Sequence, residues 1–303
     1  VLQLRQRRRG ASLDMAASSN LDSPRPNNLR SGDNSRPTNP RSNNPGPDNP
    51  GNATDVRPPA ILLEGVSAGY GSQLVLDSVD LLLPRGQSIA VFGENGAGKT
   101  TLLKLILGLI KPWSGTVEVA GRRIESEADR RWLRQRIGYV PQGSIPGKLP
   151  ITVQDAVLLG RWGKAFSYLK RPNKHDREAA SRMLELVGIA DLGHKDCREL
   201  SGGQIQRMNI ARALVREPEI LLLDEPSTYL DKSSQTALAE LLCKIRQCLQ
   251  LSIVVVSHDE ALALKFADKA YRVAGSVIEP ACVTEPMPAL DPVPLTEPES
   301  VCR

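Results

Sequence analysis

From residue 60 onward, apolar residues come in short runs separated by glycine and charged positions. Ile61-Leu62-Leu63, Leu74-Val75-Leu76, Val79 to Leu83 and Ser88-Ile89-Ala90-Val91-Phe92 are the first four. They predict strands, and the last predicts a buried parallel one, because a strand covered on both faces is apolar throughout instead of alternating. Thr100 to Leu109 is apolar enough for a buried helix, Gly115 to Val119 alternates like a strand, and Ile137-Gly138-Tyr139-Val140 adds another strand. Amphipathic spacing over Val153–Leu159 and Arg177–Leu186 predicts two helices. A second strand-helix series follows, with buried strands at Ile220-Leu221-Leu222-Leu223 and Ile253-Val254-Val255-Val256 on either side of a helix over Ser233–Leu249. Strands alternating with helices predict an α/β fold, into which residues 143–199 are inserted as a helical subdomain.

Outside this region the pattern fails. Residues 1–59 are dominated by Asn, Pro, Ser and Arg and have almost no apolar periodicity after Leu13. Of the 23 prolines in the 303 residues, nine fall in 1–59 and six in 279–303. Such segments bury too little apolar surface to offset the entropy of ordering their backbone, so both are expected to be disordered tails around a folded domain at 60–278. The net charge of +5 resides in that domain, because the tails carry +4 and −4 and cancel. Arg5, Arg7, Arg8 and Arg9 form the one dense basic run, without interleaved aromatics, so a solvated tail is expected and no nucleic-acid partner. No apolar segment follows the arginines as in a secretory signal; an organellar transit peptide is the alternative. The longest apolar stretch, Leu102 to Ile110, contains Lys104 and is too short to span a bilayer. The five cysteines show no Cys-x-x-Cys spacing, which points to a reducing compartment and to no metal cluster.

The candidate chemistry starts directly after the strand ending at Phe92. Gly93-Glu94-Asn95-Gly96-Ala97-Gly98-Lys99-Thr100 fits G-x-x-x-x-G-K-[ST] and opens a helix. Glycines let backbone N–H groups curl around phosphate oxygens, and the helix N-terminus adds a positive dipole. Lys99 reaches the β- and γ-phosphates, and the Thr100 hydroxyl can ligate Mg²⁺. A second site completes the first: Asp224 and Glu225 end the strand at 220–223, on the edge where open α/β sheets bind ligands. There Asp224 would hold Mg²⁺ through water, and Glu225 could orient or deprotonate an attacking water.

Leu200-Ser201-Gly202-Gly203-Gln204 stands shortly before those acids. With it the chain resembles the ATP-binding cassette family, across residues 60–278. Tyr70 in Ser67-Ala68-Gly69-Tyr70-Gly71, Gln142 in Tyr139-Val140-Pro141-Gln142, Leu230-Asp231 after Pro226, and His258 after Ser257 complete its order of elements. The resemblance implies a P-loop ATPase core with an antiparallel β subdomain and the inserted helical subdomain, binding ATP and Mg²⁺. It implies that Tyr70 stacks on adenine and that residues 93–100 with Thr101 bind the phosphates. Thr100, Gln142 and Asp224 would face the metal. Glu225, His258, Gln142 and Lys99 would serve hydrolysis, and the 200–204 signature would close on the ATP of a partner cassette, with Asp231 sensing that partner. Tyr229 and Ile205 depart from the small and polar residues common at their positions.

A single cassette with no membrane span resembles the separately encoded ATPase of a transporter, peripheral at the cytoplasmic face of the inner membrane. It would act as a homodimer or paired subunit with a permease and, in the same system, a substrate-binding protein. The segments Leu149-Pro150-Ile151-Thr152-Val153-Gln154-Asp155, Leu158-Leu159-Gly160-Arg161-Trp162-Gly163, Arg171-Pro172 and Asp176-Arg177-Glu178 are similar to ATPases of the zinc and manganese uptake branch. The iron-siderophore and haem branch shares the Leu-Gly-Arg segment, and a non-transport assembly ATPase carries the same motifs; these are the alternatives. His175 and His194 are expected at the surface. The permease is expected to dock near Gln142 to Trp162, so that a charge at Leu158 or Leu159 lowers transport more than isolated ATPase turnover.

Overall fold

The computed structural model describes residues 58–143, 150–162, 171–228, 230–260, 264–265 and 267–281. The tail before residue 58 and the tail after residue 281, together with Leu149, Gly163 and Tyr229, lie outside them.

The chain enters through two long antiparallel strands, β1 (Ile61–Tyr70) and β2 (Gln73–Leu83), joined by a tight turn. The two separate apolar runs of β2 form one strand because Ser78, at φ 48°, takes up the register shift between them. Strands β4 (Ser114–Val119) and β5 (Arg122–Arg123) complete a four-stranded antiparallel sheet in the order β2-β1-β4-β5. A six-stranded sheet has the order β10-β9-β3-β8-β7-β6. Its strands are β3 (Ser88–Gly93), β6 (Ile137–Val140), β7 (Ile220–Asp224), β8 (Ser252–Ser257), β9 (Lys269–Ala274) and β10 (Val277–Ala281). All neighbours in it are parallel except the β9–β10 pair.

Alternate residues of the parallel strands feed two cores. Ala90, Phe92, Val140, Leu221, Leu223, Ile253 and Val255 face the core of the helical subdomain, while Ile89, Val91, Ile137, Leu222, Val254 and Val256 face the antiparallel sheet. Helix α1 (Lys99–Ile106) fills the second core with Leu102, Leu103, Leu105 and Ile106. Each such fully buried side chain contributes about 1.5–3 kcal/mol. The short helix α2 (Glu127–Leu133) buries only Leu133 and is started by a reciprocal cap between Ser126 and Asp129. On the other face pack α3 (Val153–Leu158), α4 (Lys174–Leu186), α5 (Gly202–Leu214) and α6 (Lys232–Leu249).

Three expectations change. The helix expected to Leu109 stops at Ile106, because Gly108 turns left-handed at φ 65°. The folded domain does not end at residue 278: β10 continues through Glu279, Pro280 and Ala281, paired with Arg272, Tyr271 and Ala270. Proline is accepted there because β10 is the edge strand. Leu158 is 4% exposed and belongs to the core of the helical subdomain, so a charge there would test folding. Leu159, at 48%, is the surface position. His175 and His194 are both exposed.

Candidate functional site

The order β3-β8-β7-β6 brings four chain segments to one edge of the sheet, at the C-terminal ends of parallel strands. Residues 93–100 leave β3, His258 follows β8, Asp224 and Glu225 end β7, and Gln142 follows β6. The phosphate-type loop keeps its shape through glycine. A β-carbon at Gly93 would lie 2.5 Å from the Val273 carbonyl oxygen, and Gly98, at φ 112°, would meet Leu76 at 2.9 Å. Gly98 is the N-cap of α1 and offers no side-chain acceptor, and no acidic residue stands in the first turn. The first N–H groups of α1 are therefore left for an anion. The Lys99 ammonium donates to the carbonyls of Gly93 (2.8 Å) and Glu94 (3.0 Å) and lies 3.7 Å from Glu225.

Asp224 is 4% exposed. Its Oδ2 accepts from the Tyr139 hydroxyl at 3.3 Å, whereas Oδ1 is buried with no hydrogen-bond partner among the described residues. Burial, followed by the charge of Glu225, raises its pKa, against the opposing pull of Tyr139, Lys99 and the approaching Thr100 hydroxyl. Burial and Asp224 in turn push the Tyr139 phenol up to about 12, so it remains a donor. Glu225 takes a left-handed backbone conformation at φ 49°, and its N–H is bonded to Val256 at 2.8 Å. That turn aims its carboxylate at His258, whose backbone N–H (3.2 Å) and Nδ1 (2.5 Å) both meet Oε2. The histidine ring itself is exposed.

A cavity of about 250 Å³ is lined by Asn95, Gly96, Gly98, Lys99, Thr100, Thr101, Gln142 and Glu225. A second, of about 670 Å³, runs along residues 93–97 past His258 and Arg272. Of the residues expected to bind phosphate and metal, 93–101 and Gln142 line these cavities, whereas Asp224 lines neither and meets the site through Thr100. Oxygen-rich donors beside an orphaned carboxylate oxygen suit a hard cation such as Mg²⁺. Tyr70 stands apart, at the end of β1. Its ring is 44% exposed and is held against α1 by Thr101, which lowers its pKa, and by Lys104, 5.4 Å from the ring centre.

The signature segment does not join this group. Ser201 caps α5 in a reciprocal box with Gln204, and Gly203 lines a small cavity of about 70 Å³ with Leu230 and Ser234. None of Leu200, Ser201, Gly202, Gly203 and Gln204 lines either cavity of the phosphate loop. Ile205 packs partly buried against the helical-subdomain core. Asp231, read from sequence as a partner sensor, is the N-cap of α6. It accepts from the Ser234 N–H at 3.2 Å and the Ser233 hydroxyl at 2.7 Å. Tyr139 and Lys104 are the site neighbours that sequence reasoning missed. The only signal for Tyr139 was a phenol in an otherwise apolar strand.

Residues 76–228 match the ABC transporter family. The high-affinity zinc uptake system ATP-binding protein of Bacillus subtilis is 36% identical over 214 residues, covering 70% of this chain and 90% of the relative. The manganese transport system ATP-binding protein of the same organism is 39% identical over 207 residues, covering 68% and 80%. Among solved structures, an ATP-binding cassette dimer in a post-hydrolysis state with ADP and Pi superposes with a TM-score of 0.62. It is 26% identical and is matched over 74% of this chain and 99% of its own. With an ATP-hydrolysing core matched over nearly the full length of such relatives, the chain belongs to the ABC transporter family, as an ATPase subunit.

Proposed function

We propose that this subunit hydrolyses ATP at the β3-β8-β7-β6 edge to energise uptake of zinc or manganese ions through a separate permease. The observation that carries the substrate class is the 36% and 39% identity to zinc and manganese ATP-binding proteins over more than 200 residues each. The metal being moved is cargo and does not meet this chain. At the site, the amide groups of residues 93–100 and the α1 N-terminus bind the phosphates, Lys99 neutralises the terminal ones, and Tyr70 offers its exposed face to the adenine. Thr100, Gln142 and, through water, Asp224 would hold Mg²⁺, which when bound spreads the charge of the β- and γ-phosphates. Glu225 accepts the proton of the attacking water or orients it, and the His258 contact fixes which oxygen does so. Positioning and charge stabilisation supply most of the rate.

The separation of residues 200–204 from the phosphate loop of their own chain supports a head-to-tail dimer, in which each signature completes the partner's site. Solvent-exposed Leu159 (48%) and Trp162 (38%) support docking of the permease on the helical subdomain, from the cytoplasmic side of the membrane. No helix among the described residues is long and apolar enough to cross a membrane, which suits a peripheral subunit. A substrate-binding protein in the same system would deliver the ion.

A strain deleted for this gene tests the cargo. Growth should fail when zinc or manganese is chelated and recover when that ion is returned. Failure under iron limitation alone would transfer the assignment to siderophore or haem uptake, and a permease absent from affinity preparations would favour an assembly role.

A further inference from the structure

Tyr139 ties the strand leading to Gln142 directly to the acid at the end of the neighbouring strand. In the parallel β6–β7 register it lies opposite Leu222, two residues short of Asp224. A phenol is long enough to cover that offset, and its hydroxyl donates to Asp224 Oδ2 at 3.3 Å. The ring packs against the core beneath the antiparallel sheet, so the hydroxyl is delivered from a supported side chain. The effect on Asp224 is asymmetric. One oxygen is tied to β6, while Oδ1 is buried, with the Thr100 hydroxyl near the carboxylate and no hydrogen-bond partner for Oδ1 among the described residues. Rotation about the terminal carboxylate torsion is soft and roughly two-fold, so an untethered carboxylate can exchange its two oxygens or tilt.

We infer that Tyr139 is a positioning residue for the metal-nucleotide: it pins Oδ2 of Asp224 and so reserves Oδ1 for the hydration shell of Mg²⁺. The inference rests on the reading that Asp224 faces Mg²⁺. Its location gives it a second consequence. Gln142 follows Tyr139 by three residues, so a displacement of the glutamine loop is felt at the carboxylate through β6.

Tyr139→Phe removes the hydroxyl and keeps the ring. Binding of a fluorescent trinitrophenyl-ATP to the full chain is followed while Mg²⁺ is titrated upward from EDTA. Because the contact, at 3.3 Å, is longer than the usual O–H···O range of about 2.5–3.0 Å, we expect a Mg²⁺ midpoint raised about 3–10-fold, no more than one net hydrogen bond supplies. Affinity in EDTA should be unchanged, and Tyr139→Phe should add no further shift on an Asp224→Asn background. A midpoint within twofold of wild type, an equal loss of affinity in EDTA, or additive shifts in the double variant would each overturn the assignment. Asp224→Asn separates the two layers. If that variant leaves the midpoint unmoved, the reading of Asp224 fails. If it moves the midpoint and Tyr139→Phe does not, only the role of Tyr139 fails.

Discussion

Glu225 stands in a backbone conformation that costs a non-glycine residue about 1–3 kcal/mol, and the structure holds it there through the N–H bond to Val256. Strain of this kind persists only where the surroundings over-determine it. Here the outcome is a 6%-exposed carboxylate bound by His258 on one oxygen and approached by Lys99 on the other. Glu225→Gln keeps the shape and removes the basic oxygen. Phosphate release should fall by about 10²–10⁴-fold while ATP is still retained, as judged by nucleotide copurifying with the protein. Undiminished turnover would remove Glu225 from the chemistry. The glycine loop and the two acids were legible in the sequence because their function depends on backbone freedom and on position at a strand end, both of which are local. Tyr139 was not legible: its contact joins residues 85 apart in the chain and depends on the β6–β7 register.

Among the elements, the helical subdomain packs on α5 through a shared apolar core and is also tied to it by the buried cation of Arg161. Arg161 is 6% exposed and sits in the single turn after α3, where it donates to Asp176 of α4 at 3.0 Å and to the Val215 carbonyl at the end of α5 at 2.9 Å. Gly160 beside it has no room for a side chain, since a β-carbon would lie 2.2 Å from the Arg212 carbonyl oxygen. Arg216 closes the seam by donating to the Trp162 carbonyl at 3.1 Å. Burial alone would raise the pKa of Asp176, but the Asn173 N–H and Arg161 outweigh it and hold the carboxyl below its ordinary value. A carboxylate with a lowered folded pKa contributes stability above its unfolded pKa of about 3.9 and loses that contribution as pH falls further. Arg161→Met should therefore cost about 3–5 kcal/mol in urea denaturation at neutral pH, because it leaves a buried charge unpaired. Adding Asp176→Asn should recover part of the loss. Equal stability of wild type and the single variant would show the pair to be dispensable. Helices α3 and α4 were readable from their amphipathic spacing and α1 from its apolar run. The short α2 was not, since it is charged along its length and depends on the Ser126–Asp129 cap, and β10 was hidden by a proline that only an edge strand tolerates.

At the scale of the whole molecule, the groups proposed for hydrolysis and the signature line different cavities, and Leu159 and Trp162 line none of these. Leu159 and Trp162 are exposed, but each is fixed through its backbone or neighbour to the C-terminal end of α5, the helix whose N-terminus carries Ser201, Gly202 and Gly203. On the proposed docking and head-to-tail dimer, movement at Leu159 and Trp162 would be delivered along α5 to the signature. The surface residue can be changed without touching the phosphate loop, which separates coupling from chemistry. Leu159→Asp places a charge on a side chain that the isolated subunit leaves in water, so its folding and its own ATP turnover should change less than twofold. Transport by the assembled system should fall at least tenfold, because an unpaired carboxylate desolvated against an apolar partner surface costs more than 1.4 kcal/mol. Ion uptake by reconstituted vesicles, compared with phosphate release by the purified subunit, checks both halves. Equal losses in the two assays would mean that Leu159 supports the ATPase fold instead of the contact with the permease.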